Sequence, residues 1–135
     1  MFRTTTLAAA LLFAATPMVL TSCSKSPIQK ATSLIDEATE ILNDTTADNI
    51  DKQIAKMDAL MSDAKKVGEA YLKMAKETSK EDRNNEELKK QGMEMLLAGD
   101  KCAKAANELR IRVGSVETAE LIGKAMKLTA LVIGR

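Results

Sequence analysis

From Ile50 to Ala75 the residues Ile50, Ile54, Met57, Met61, Ala64, Gly68, Tyr71 and Ala75 recur at steps that alternate four and three. A strand, whose side chains alternate faces every residue, cannot gather that series on one side; a long amphipathic helix does. A second series with the same steps runs Leu88, Gly92, Met95, Gly99, Cys102, Ala106, Leu109 and Val113. The fold class this predicts is all-α, an antiparallel bundle of four helices.

The shorter helices lie on either side of these two. Ser26-Pro27 is a helix start, with serine positioned to cap and proline where a missing N–H costs nothing. Ile28, Ala31, Leu34, Ile35, Ala38, Ile41 and Leu42 then make a broad apolar stripe. Thr45 with Asp48 reads as a capping box for the second helix, and Thr78 with Glu81, or Ser79 with Asp82, for the third. Gly114 ends the third and Ser115 caps a fourth. That helix carries one line through Val116, Ala119, Ile122, Met126, Thr129 and Ile133 and another through Leu121, Ala125, Leu128 and Val132. The predicted helices are 27–42, 47–77, 80–113 and 116–133, within one domain over 26–135.

The two long helices, each about 45 Å at 1.5 Å per residue, are expected to fold back on one another as a central hairpin. A turn near residue 80 would oppose Tyr71 with Leu88, Gly68 with Gly92, Ala64 with Met95, Met61 with Gly99, Met57 with Cys102, Ile54 with Ala106 and Ile50 with Leu109. Large would face small at several levels, as a packed core requires. The short helices would flank the half of the hairpin near Ile50 and Leu109. The charged segment from Lys73 to Lys90 would form a solvated tip, in which Arg83, Glu86 and Glu87 are candidate contacts for a protein partner.

The residue inventory argues against catalysis. The chain has no His and no Trp, which removes Ser/His and Cys/His nucleophile pairs and imidazole metal sites. The carboxylates Asp36, Glu37, Glu40, Asp44, Asp48 and Asp51 lack calcium-loop spacing. The glycines form no phosphate loop. Twenty Lys and Arg against nineteen Asp and Glu give no electrostatic case for nucleic acid. The expectation is a protein that is not an enzyme and has no metal or dissociable cofactor. Cys102 reads as a small core residue. Gly68 facing Gly92 reads as close helix approach, or as a candidate apolar groove beside Met61, Met74, Met93 and Met95.

Residues 1–22 differ sharply from the rest. Arg3 precedes the apolar stretch from Leu7 to Leu20, followed by Thr21, Ser22 and Cys23. The stretch is shorter than the roughly 20 residues of a membrane span and reads as a secretion signal. Leu20-Thr21-Ser22-Cys23 resembles the lipobox of bacterial lipoproteins. That resemblance implies cleavage before Cys23, diacylglycerol on its thiol, and acylation, commonly with palmitate, of the new N-terminus. Residues 23–25 would be a short linker. Ser24, in place of Asp, by resemblance to enterobacterial sorting implies the outer membrane. Asp44-Thr45-Thr46 resembles the O-glycosylation acceptor of exported Bacteroidota proteins, which would make Thr45 a modified residue.

These readings converge on a lipid-anchored helical module of the bacterial cell envelope. It would act in protein interaction or structure, with an envelope protein as partner and self-association through an uncovered helix stripe. The alternative function is a carrier for a small lipid or other hydrophobic ligand, using the Gly68/Gly92 groove.

Overall fold

A computed structural model describes residues 25–78 and 85–134. The signal segment, Cys23, Ser24 and Arg83 lie outside the described residues. The described residues form an all-α bundle of four helices: α1 (Pro27–Asn43), α2 (Ile50–Glu77), α3 (Glu86–Arg112) and α4 (Val116–Leu131). Two are long and two short, and each reverses the direction of the one before. No described helix is long and apolar enough to cross a membrane.

Local chemistry sets the boundaries. At the start of α1 the Gln29 N–H donates to Ser26 Oγ (3.2 Å) while the Ser26 N–H donates to Gln29 Oε1 (3.0 Å), a reciprocal capping box with Pro27 in the first turn. Ser115 caps α4 by accepting from the Thr118 N–H at 3.2 Å. Two expected caps move. Before α2 the reciprocal pair is Thr46 with Asn49 (2.7 and 3.3 Å) rather than Thr45 with Asp48. Residues 47–49 make a turn, and α2 begins at Ile50. Asn85 caps α3 by accepting from the Glu87 and Leu88 N–H groups, so this helix starts at Glu86, not near residue 80.

The order of packing around the bundle differs from the expected central hairpin. Among the described residues no Cα of α2 comes within 8 Å of one in α3, and the seven opposed levels from Tyr71/Leu88 to Ile50/Leu109 are not formed as helix-to-helix pairs. The long helices lie on one diagonal of the bundle. The short helices lie between them, α1 packing on α3 and α2, and α4 packing chiefly on α2. Hydrogen bonds fix the directions. Ser26 meets Gln91 and Arg112 meets Leu42, so α1 and α3 run parallel; Lys124 meets Asp58 near the start of α2, and Gly68 meets Leu131 further along, so α2 and α4 also run parallel.

The physical reason is side-chain size. Large apolar groups sit on the short helices, with Leu34, Ile35, Leu42, Leu121, Ile122 and Leu128 buried, whereas the buried residues of the long helices include Ala64, Gly68, Ala98, Ala105 and Ala106. Small-faced long helices bury more apolar area against Leu- and Ile-rich partners than against each other. Met57, Cys102 and Leu109 complete the shared core.

Candidate functional site

The end of the bundle that holds Ser26 also holds the boundary of the α2–α3 connection. Ser26 Oγ donates to Gln91 Oε1 at 2.7 Å, and Gln91 Nε2 donates to Glu87 Oε2 at 3.2 Å. A buried glutamine on α3 thereby clamps the first residue of the α1 cap, and Glu87, expected as a partner contact, helps hold that clamp. Glu86 is exposed beside it in the first turn of α3. The charged tip is therefore at the same end as the chain's entry into the fold.

At this end Ile28, Tyr71, Met74, Ala75, Thr78, Leu88 and Lys89 line a cavity of about 430 Å³. Its walls come from α1, α2 and α3, so Tyr71 and Leu88 do share a space, with Ile28 of α1 beside them. The opposite end consists of the 44–49 loop and the 113–115 turn. There Arg112 Nη2 donates to the carbonyls of Leu42 (3.2 Å), Asn43 (3.5 Å) and Thr45 (3.1 Å). Gln53 Nε2 donates to the Ile41 carbonyl at 2.9 Å. Cationic and amide donors thus satisfy the open carbonyls at the negative end of α1, whose own last turn has no basic residue. Beyond this latch Ile111 and Val116 are 86% and 81% exposed.

The two glycines expected to share a groove are apart. Gly68 is buried against α4, where a Cβ would overlap the Leu131 carbonyl oxygen. At Gly92 a Cβ would meet nothing within 4 Å. The Gly68/Gly92 groove is not formed, because their helices do not touch. Met61, Met74, Met93 and Met95 likewise divide among different grooves and surfaces.

Thr45 is buried, and its hydroxyl donates to the Ile41 carbonyl at 2.6 Å. A glycosyl group has no access to that oxygen in the folded protein, so the resemblance at Asp44-Thr45-Thr46 marks a folded turn. Cys102 is fully buried and hydrogen-bonded with Thr39; burial, with the Asp36 carboxylate adding to it, pushes the thiol pKa up and outweighs that bond. Such a thiol is protonated and unreactive. Lys124 forms a 2.6 Å ion pair with Asp58, whose hydrogen bond raises the lysine pKa. Its aqueous setting makes this a weak tie between α2 and α4.

Among the described residues no group of three or more Asp, Glu or Cys side chains is arranged to hold a metal. The feature that sequence reading missed is an apolar ridge on α3, formed by Met93, Leu96 and Leu97. Its signal was present as three large apolar residues outside the heptad seam. Compared with known proteins, the chain matches no family model, no curated protein and no solved structure.

Proposed function

We propose that the protein is a lipid-anchored helical module of the bacterial cell envelope, attached through diacylglycerol and an N-acyl chain at Cys23 and working by protein interaction or structural support rather than catalysis. The observation that carries this reading is the lipobox-like Leu20-Thr21-Ser22-Cys23 after a secretion signal. In support, the folded bundle begins at a capped serine three residues later. Two or more acyl chains make such attachment durable, since each buried methylene contributes about 0.8 kcal/mol. Ser24 favours the outer membrane.

With the anchor beside the tip, the surface offered to an envelope protein is the opposite end, where exposed Ile111 and Val116 adjoin the Arg112 latch. The test has two stages. Intact mass and membrane fractionation should show acyl chains and membrane retention that Cys23→Ser abolishes. Photo-crosslinkers placed at Ile111 and Val116 should then capture one discrete envelope partner in cells, and Val116→Glu should remove it while preserving helicity. Acylation without capture at either position would exclude this end as the partner surface.

One observation favours a second reading, that of a carrier. The open groove at the tip has Ile28, Met74, Ala75 and Leu88 among its lining residues, beside Tyr71, Thr78 and Lys89, and has a size suited to a small apolar ligand. Native mass spectrometry should then detect a bound lipid that Ala75→Phe, which fills the groove, displaces. A wild-type protein free of ligand after gentle extraction would count against this reading.

A further inference from the structure

The exposed large apolar residues that lie together are on α3. Met93, Leu96 and Leu97 are 59%, 64% and 55% exposed, and steps of three and four place them on one side of the helix. Leu97 borders the groove between α3 and α1, and Leu96 the groove between α3 and α4. The ridge therefore points outward between the two neighbours of α3, and no described helix covers it.

Its position singles out an occupant. Leu97 shares its groove with Lys25, which follows Cys23 by two residues. At about 3.5 Å per residue at full extension, Lys25 lies at most about 7 Å from a Cys23 anchor, which keeps this part of α3 close to the lipid headgroups. Around the ridge the exposed lysines Lys25, Lys89, Lys90, Lys101 and Lys104 are interspersed with Glu86, Glu94, Asp100 and, across the groove, Asp36, a small basic excess. Ammonium groups on flexible stems reach anionic headgroups while the apolar residues between them enter the interface. A second copy of the chain fits less well. Antiparallel two-fold pairing centred on Leu97 would set Lys90 opposite Lys104, like charge against like.

We infer that the ridge of Met93, Leu96 and Leu97 is a second membrane contact, laying the first half of α3 on an anionic phospholipid surface. This rests on the lipid anchor proposed above. Three side chains bind a bilayer weakly on their own, but a tether supplies them at an effective concentration of roughly millimolar or more. The bundle then lies on its side, with α2, diagonal to α3, turned away from the membrane.

The sequence contains no Trp, so single tryptophans report cleanly. Leu97→Trp and, as control, Ala59→Trp on the exposed face of α2 are made in the full chain and purified in acylated form, with acylation read by intact mass. Each is reconstituted in vesicles of phosphatidylethanolamine and phosphatidylglycerol, with or without brominated acyl chains. The expected result is blue-shifted emission at position 97 and at least about twofold stronger bromine quenching there than at position 59, since interfacial side chains sit about 5–10 Å into the boundary. Lys101→Glu in the Leu97→Trp background should reduce that quenching. Acylated protein with both tryptophans in water would overturn the inference and leave the anchor standing. Blue-shifted emission at 97 without bromine quenching, in a protein of twice the monomer mass, would overturn it in favour of a second copy. An intact mass without acyl chains removes the anchor, and the membrane contact with it.

Discussion

Glycine illustrates how one residue type answers to two environments. Gly68 sits where α2 and α4 approach so closely that a Cβ would overlap the Leu131 carbonyl, whereas Gly92 faces open space. Gly92→Ala should therefore raise stability by about 0.5–1 kcal/mol through helix propensity alone. Gly68→Ala should lower it by about 1–3 kcal/mol, as backbone must shift to admit the methyl group. Urea midpoints at constant slope measure both, and equal effects at the two positions would contradict this arrangement. Cys102 supplies a pH dependence. Its thiol pKa is raised in the folded state by burial, so the folded chain holds that proton more tightly than the unfolded chain does. The resulting stability is full below the unfolded thiol value of about 8.5–9 and declines as pH rises above it toward the folded value. Wild type should lose stability relative to Cys102→Ala between pH 8 and pH 10. In a Cys23→Ser background Cys102 should react with a thiol reagent only as the bundle opens. Rapid stoichiometric labelling of the folded protein would show the thiol to be accessible.

Among the elements, α1 depends on a donor from outside itself. Three carbonyls at its C-terminal end accept from Arg112, and a cation there also favours the helix dipole. Arg112→Ala should lower stability by about 1–2 kcal/mol. Arg112→Lys should recover only part of it, because a single ammonium replaces a planar fork of donors. Hydrogen exchange should locate the loss in residues 40–46 rather than evenly along the chain. Legibility in the sequence also varies by element. In α1 every expected inward residue except Ile41 is buried, since Ile28, Leu34, Ile35 and Leu42 dominate one face. In α4 two stripes competed, and burial went to the line through Leu121, Ala125, Leu128 and Val132, joined by Ile122 alone among the large apolar residues of the other. In α3 the expected line through Gly92, Met95 and Gly99 is only half-buried, and Gln91, Ala98 and Ala105 turn inward. Small residues leave the facing direction nearly degenerate in energy, and the Ser26–Gln91 hydrogen bond helps decide it. The apolar ridge was illegible for the same reason. Its leucines lie beside a regular heptad seam, and only the position of α1 and α4 shows which side remains uncovered.

At the level of the whole molecule, regular heptads in two successive long helices suggest that they pair, but periodicity specifies that a face is buried and leaves open what buries it. Here the faces belong to different neighbours. The number of helices, their lengths and their alternating directions follow from caps and apolar runs; the partner of each helix follows from the volumes that four faces must fill together. Lysine cross-linking with mass spectrometry distinguishes the two arrangements. Lys25 and Lys101 share the groove between α1 and α3, and Lys65 and Lys124 share that between α2 and α4, so both pairs should link efficiently. Lys56 and Lys104 would lie level with each other in a hairpin of long helices. In the bundle they are exposed on diagonal helices with α1 and α4 between, and should not link within one molecule. Mixing isotopically light and heavy protein separates links within a chain from links between chains. An abundant intramolecular Lys56–Lys104 link, with the two groove pairs absent, would restore the central hairpin. It would also free α1 from α3, moving Lys25 away from Leu97 and removing the ridge from the neighbourhood of the anchor.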